Sequence, residues 1–258
     1  MKLHCKQYSE AGVPLVILHG LYGNQGNWSV HAGQLADRYA LYAFDARNHG
    51  QSPWADSMTL EEMAADVADT MSGLGLSSVH LLGHSMGGKT AMLLALQQPQ
   101  RVRSLVVVDI APVAYAKSND AVLQALAALD LAALRSRAEA ENQLAQHIER
   151  KAVRDFLLAN LQRAPTGKFQ WRINLPVIQQ YFAEVTGWPE HGLVYEGPAL
   201  FIRGDLSDYI LPEHYASISQ QFPRAALKTV ANAGHWVHSE KPEALQRLVR
   251  NFLDTMPA

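Results

Sequence analysis

The stretch Gly83-His84-Ser85-Met86-Gly87 constrains this chain more than any other. It has the form Gly-x-Ser-x-Gly, and its two flanks differ in kind. Ser78-Val79-His80-Leu81-Leu82 ahead of it is a short, mostly apolar run that suits a buried strand. Lys89-Thr90-Ala91-Met92-Leu93-Leu94-Ala95-Leu96 behind it is rich in helix formers. A serine held between strand and helix sits on a tight, strained turn that lifts its hydroxyl above the sheet edge. The flanking glycines fit that picture, because no side chain has room where the two backbones cross. In this setting Ser85 reads as a nucleophile.

Other apolar runs alternate with helical patterns. Pro14 to Leu18 reads as a buried strand stopped by His19-Gly20, and Ala40 to Phe44 as another ending at Asp45. Ser104 to Val108, Pro198 to Ile202 and Ala226 to Val230 continue the series, and Lys2 to Ser9 suits an edge strand or hairpin arm. Leu60 to Gly73 has helical spacing, with Thr59 as N-cap and Glu61 and Glu62 near the positive helix end. Glu240 to Leu253 makes a closing amphipathic helix that tolerates Pro242 in its first turn. Continuous apolar runs separated by helices imply an α/β fold, a mostly parallel sheet covered on both faces. From Val113 to Tyr195 no strand pattern appears, and Val122 to Leu129 and Leu144 to Leu161 read as helices. That block is longer than one crossover needs. The expected organisation is a core domain of residues 1–112 and 196–258, with residues 113–195 inserted as a helical cap, or lid, over the carboxyl edge.

The 258 residues suffice for one such domain with an insertion. A net charge of −2 gives no electrostatic case for nucleic acid or an anionic membrane surface, so the expected partners are small and neutral or weakly charged. No apolar run reaches membrane-spanning length, and the opening Met1-Lys2-Leu3-His4-Cys5-Lys6 predicts no signal peptide. The alanine-rich helices lack the basic, aromatic-flanked face of a membrane-surface helix, so no membrane partner is expected. Cys5 stands alone and cannot form an internal disulfide, which suits a reducing compartment, with the cytoplasm as the expected location. It reads as a small strand side chain rather than a nucleophile.

A serine hydroxyl needs a base to take its proton. His235, in Ala233-Gly234-His235-Trp236 after the last strand run, is that base by position and by its Gly-His loop. His238 follows three residues on, but no third ligand stands at a recognisable spacing, so no metal is expected. Two carboxylates compete to orient the histidine. Asp109 ends the strand after the nucleophile's helix, and Asp208 follows the next strand run; Asp205 reads as a turn residue. Asp109 comes first, because a carboxylate at the end of a parallel strand is well placed for a site. The tetrahedral oxyanion needs donors, and the expected pair is the backbone N–H groups of Met86 and of Leu21. Leu21 lies in His19-Gly20-Leu21-Tyr22-Gly23-Asn24, between two glycines. Tyr115, Trp188 and Trp236, with Trp171 and Phe182, are candidates to line an acyl pocket under the cap, and His49 to shape its wall.

The stretches His19-Gly20-Leu21-Tyr22-Gly23, Asp45-Ala46-Arg47-Asn48-His49-Gly50-Gln51-Ser52 and Gly83 to Lys89 resemble the α/β-hydrolase superfamily. So do Gly234-His235-Trp236-Val237-His238 and, more narrowly, Val108-Asp109-Ile110-Ala111-Pro112-Val113 and Trp171-Arg172-Ile173-Asn174-Leu175. Within the superfamily the chain looks most like the small bacterial YbfF-type esterases, over nearly its whole length. The resemblance implies an α/β-hydrolase fold and a serine esterase acting on small acyl esters through an acyl-enzyme, with no cofactor. It also implies Asp109 as the acid, whereas the superfamily at large more often places it one strand later, near Asp208. Other enzymes on the same triad stay open: an acyl-CoA thioesterase taking a thioester substrate, a perhydrolase or a carbon–carbon bond hydrolase. A basic rim made by Arg47 and Lys89, if they face the cleft, would favour the CoA reading. A non-catalytic small-molecule receptor on the same fold is the remaining alternative.

Overall fold

The computed structural model describes residues 1–115 and 121–256. The apolar runs form a seven-stranded sheet, interleaved with helices. In its first half β1 (Cys5–Gln7) and β2 (Val13–Leu18) are followed by α1 (Ser29–Leu35), β3 (Tyr39–Phe44), α2 (Leu60–Gly73), β4 (Val79–His84), α3 (Met86–Gln97) and β5 (Val102–Val108). After β5 come α4 (Ala121–Ala128), α5 (Arg137–Leu144) and α6 (Lys151–Leu158), a hairpin of β6 (Leu161–Arg163) and β7 (Phe169–Trp171), then α7 (Leu175–Gln180) and α8 (Phe182–Thr186). The chain returns to the sheet through β8 (Ala199–Gly204), α9 (Tyr215–Gln221) and β9 (Ala225–Val230), and closes with α10 (Val237–Glu240) and α11 (Pro242–Leu253).

The sheet order is β1-β3-β2-β4-β5-β8-β9. β1 runs antiparallel to β3 at one edge, and every other pairing in this sheet is parallel. Successive residues point to opposite faces. On β5, Leu105 and Val107 join the core cluster that includes residues of α2 and α3, while Val106 and Val108 join Trp28, Leu35, Val249 and Leu253. All four β5 residues have no exposed surface, which is why the strand reads as an unbroken apolar run. The N-terminus of α2 is closed by reciprocal bonds: Glu62 N–H donates to Thr59 Oγ1 at 3.2 Å, and Thr59 N–H to the Glu62 carboxylate at 3.0 Å.

The segment between β5 and β8 departs from an all-helical pattern in two ways. It contains the β6–β7 hairpin, in antiparallel register Leu161↔Trp171. Each strand is three residues long, so alternation is visible only as buried Phe169 and Trp171 around exposed Gln170. The expected helix from Leu144 to Leu161 is two helices, because α5 ends at Leu144 and α6 starts at Lys151. The Arg154 guanidinium donates to the carbonyls of Ile148 and Glu149 between them, oxygens that a continuous helix would have used internally. The closing helix is likewise broken at Lys241, with Pro242 opening α11. Among the described residues no helix is long and apolar enough to cross a membrane.

Candidate active site

Parallel strands deliver their carboxyl ends to one edge, and the site is built there. Ser85 follows β4 on a backbone with φ 53° and ψ −121°, a region that costs a non-glycine residue energy. What forces the strain is a close crossing: a β-carbon on Gly83 would sit 2.2 Å from the Gly87 carbonyl oxygen. The Ser85 N–H donates to Val108 O at 3.0 Å, tying the turn to β5.

Asp109 ends β5, also at positive φ (53°), and its carboxylate is fully buried. Its Oδ1 accepts from Gly204 N–H at 2.9 Å, and its Oδ2 from the hydroxyl of Ser207. The same Oδ2 lies 2.8 Å from His235 Nδ1, and His235 Nε2 lies 3.0 Å from Ser85 Oγ. This pairing makes Nδ1 the protonated nitrogen, leaving Nε2 to accept from the serine. Asp208 is elsewhere: it is exposed, on the cavity rim in the loop after β8. The Tyr209 ring stacks on the His235 imidazole at 3.9 Å between centroids, 22° from parallel. His84 is buried and held neutral, its proton affinity driven well below normal by desolvation. Its Nε2 donates to the His235 carbonyl at 2.9 Å, bracing the histidine loop.

Gly20 brings the loop after β2 against the serine turn, since a β-carbon there would sit 3.2 Å from Ser85 Cβ and 2.7 Å from His84 Nδ1. Leu21 comes next in this loop, and Met86 opens α3, where an N–H has no intrahelical acceptor. Both residues line the cavity above Ser85. The loop is braced from behind by the Asp45–Ser52 segment. Tyr22 N–H donates to His49 Nε2 at 3.2 Å, and Ala46 N–H to His19 Nε2 at 2.9 Å. His49 is therefore a fully buried support, not part of the pocket wall.

The cavity has a volume of about 670 Å³. Phe156, Leu157, Phe182 and Val185 supply apolar wall from the segment between β5 and β8, and Tyr115 and Trp236 also line it. Trp188 does not. Its indole N–H donates to Gln221 Oε1 at 3.1 Å and its ring packs edge-on against His191, which anchors it away from the cavity. Trp171 lines a separate groove beside Trp54. Arg47 faces inward and pairs with Asp66 and Glu62, so it cannot form a basic rim. His238 stacks on Trp28 at 5.0 Å and is pushed down to about 3 by burial. Among the described residues no group of three or more His, Cys, Asp or Glu side chains could hold a metal ion. Cys5 begins the edge strand, with its thiol raised to about 11 by burial, the opposite of an activated nucleophile.

The contacts of two side chains in this geometry follow from no motif. Ser207 is one residue in a polar turn, and Lys89, which closes the Gly83–Lys89 stretch, reads from sequence only as a candidate for a basic rim. The helical spacing of Ser85 and Lys89 was the available signal for the second: one turn apart, they share a face.

Fold and site together define a class: a parallel-sheet enzyme with a strand–serine–helix turn opening into an apolar cavity. A family model described as alpha/beta hydrolase fold matches residues 13–242, and the chain belongs to that family. The mouse protein named "sn-1-specific diacylglycerol lipase ABHD11" is 40% identical over 247 residues, 93% of this chain and 80% of that protein. "Esterase YbfF" of Escherichia coli K12 is 36% identical, over 93% of each chain. Among solved structures, one titled "Marine microorganism esterase" superposes with a TM-score of 0.95 at 37% identity, covering 98% of this chain and 99% of that one.

Proposed function

We propose that this chain is a carboxylic ester hydrolase that works through Ser85, His235 and Asp109 and an acyl-enzyme. The observation that carries the reading is the unbroken hydrogen-bonded line from Ser85 Oγ through both nitrogens of His235 to Asp109, at 3.0 and 2.8 Å. Ser85 Oγ attacks the ester carbonyl carbon while His235 Nε2 takes its proton. The carbonyl oxygen becomes an oxyanion, stabilised by the N–H groups of Leu21 and Met86. The intermediate collapses, the C–O bond to the alcohol breaks, and His235 returns its proton to the leaving oxygen. Water then enters and attacks the acyl carbon while His235 takes its proton; the bond to Ser85 Oγ breaks as His235 returns the proton to that oxygen, releasing the acid. Asp109 keeps the imidazole in the productive tautomer and stabilises its cationic form; Ser207 and Gly204 hold the carboxylate still.

The 113–195 segment acts as a cap that closes the acyl cavity, and its apolar lining suits an uncharged acyl chain. The esterase and lipase names of the relatives point to the same substrate class. Reaction in a reducing compartment such as the cytoplasm fits a chain with one cysteine. Two measurements test the reading. Ser85→Ala is expected to abolish hydrolysis of p-nitrophenyl acetate with the circular dichroism spectrum unchanged, and a phosphonate ester is expected to label Ser85 alone. Full turnover in the alanine variant, or labelling at another residue, overturns the mechanism.

A further inference from the structure

The hydrolytic steps leave one buried cation without a task. Lys89 lies one helical turn beyond Ser85, lines the same cavity and is only 1% exposed. Among the described residues its contacts are two backbone carbonyls and an aromatic face, with no carboxylate. The ammonium donates to Thr186 O and to Gly187 O. It also lies 4.8 Å from the centroid of the Tyr115 ring. Thr186 is the last residue of α8 and Gly187 its C-cap, so these are carbonyls that a helix end leaves open to an outside donor. Thr186 O accepts a second bond, from Tyr115 N–H at 3.0 Å. α8 itself presents Phe182, Val185 and Thr186 to the cavity.

We infer that Lys89 is a specificity-determining positioning residue, tying the end of α8 to the nucleophile helix and so setting where that cavity wall stands. A methionine or leucine would fill the space with no charge to desolvate. Burial pushes the amine down to about 7, so its charged form is kept only at a cost to stability. What it supplies is a bond between α3 and the segment that forms the acyl wall, at the one place where two carbonyls face it. Committed to those carbonyls and covered by the segment that bears them, Lys89 offers no basic rim to a phosphate group. The inference rests on the reading of this cavity as the ester site.

The test uses Lys89→Met and Lys89→Gln in the full chain, with p-nitrophenyl acetate and p-nitrophenyl octanoate as substrates. Without the tie, the wall loses its contacts with the longer chain. Lys89→Met is expected to lower the ratio of kcat/KM for octanoate over acetate at least tenfold, through KM rather than kcat. Amides of residues 182–187 are expected to exchange with deuterium at least tenfold faster. Lys89→Gln keeps a donor without charge and is expected to fall between the two; it is read in place of Lys89→Met if the latter does not fold. An unchanged ratio with unchanged exchange in both variants overturns the proposal, as does a loss carried wholly by kcat. If the wild-type chain hydrolysed neither ester, the ester-site reading would fail, while the exchange rates would still decide whether Lys89 holds α8.

Discussion

Asp109 draws its partners from three places in the fold: the end of β8, the turn after it and the histidine loop. A bond from a neutral donor to a buried carboxylate contributes about 1.5–3 kcal/mol, and each 1.4 kcal/mol is about a tenfold change in rate. Ser207→Ala is therefore expected to lower kcat about 10- to 100-fold with KM less affected, because it loosens the acid and takes only a hydroxyl from the cavity lining. Asp109→Asn removes the charge that stabilises the imidazolium and is expected to cost about 10³- to 10⁴-fold in kcat. Asp208→Asn is expected to cost far less, since its carboxylate is exposed and His235 Nδ1 already has its partner. Steady-state kinetics on p-nitrophenyl acetate separate the three; a loss at Asp208 equal to that at Asp109 would move the acid to the later position.

Among elements, α2 and α3 give contrasting cases. The cap of α2 is a local device, and Thr59→Ala removes the bond from Glu62 N–H to Thr59 Oγ1 while leaving the backbone N–H of residue 59 to donate to the Glu62 carboxylate. The expected cost is about 1 kcal/mol, or roughly 2–4 °C in Tm for a chain of this size, with kcat/KM unaffected. The start of α3 is set by a crossing instead, and Gly83→Ala drives a methyl group into the Gly87 carbonyl. That variant is expected to lose about 1–3 kcal/mol of stability and most of its activity, because Ser85 must move with the turn. Thermal melts run beside kinetics distinguish a cap from a crossing: a Thr59→Ala chain that lost activity, or a Gly83→Ala chain that kept it, would contradict the assignment. Elements like these were legible because their signals are local. Thr59 and Glu62 stand three residues apart, and the central strands are apolar on both faces. The sequence put Asp109 first but left Asp208 open, since each follows a parallel strand; burial, the Gly204 and Ser207 donors and the 2.8 Å approach to His235 Nδ1 set Asp109 apart. Ser207 and Lys89 were hidden for another reason: each finds its partner 98 residues away along the chain. Trp188 was misplaced because composition says that a segment holds aromatics, not which way they face. The β6–β7 hairpin escaped because three residues are too few to show a period of two.

Taken as one molecule, the chain hides six histidines and Lys89 from water, and its stability should follow pH accordingly. His19, His31, His49, His80, His84 and His238 are all buried. Desolvation lowers each of them, His80 to about 4 and His49 and His238 to about 3, against an ordinary value of 6.5. Below 6.5 the unfolded chain takes up protons that the folded chain refuses, so stability falls as the medium is acidified. Lys89 acts with the same sign in a different window. Its folded value of about 7 lies below the ordinary 10.5, so between these limits the unfolded chain holds a proton that the folded chain has released. Stability due to this group therefore rises with pH across that window, at a slope of at most about 1.4 kcal/mol per pH unit. His84, Tyr115, Arg150, Asp208, Tyr209 and His235 line the same cavity, and they are common to the wild type and Lys89→Met. The difference in unfolding free energy between those two chains isolates the lysine. Measured by urea denaturation, it is expected to shift in favour of the wild type by about 2 kcal/mol between pH 7 and pH 9. Below pH 6.5 both chains are expected to weaken in parallel, because the six histidines remain. A difference that stayed flat from pH 7 to pH 9 would mean that Lys89 keeps its proton in the fold, and that its two carbonyls and one ring compensate its burial in full.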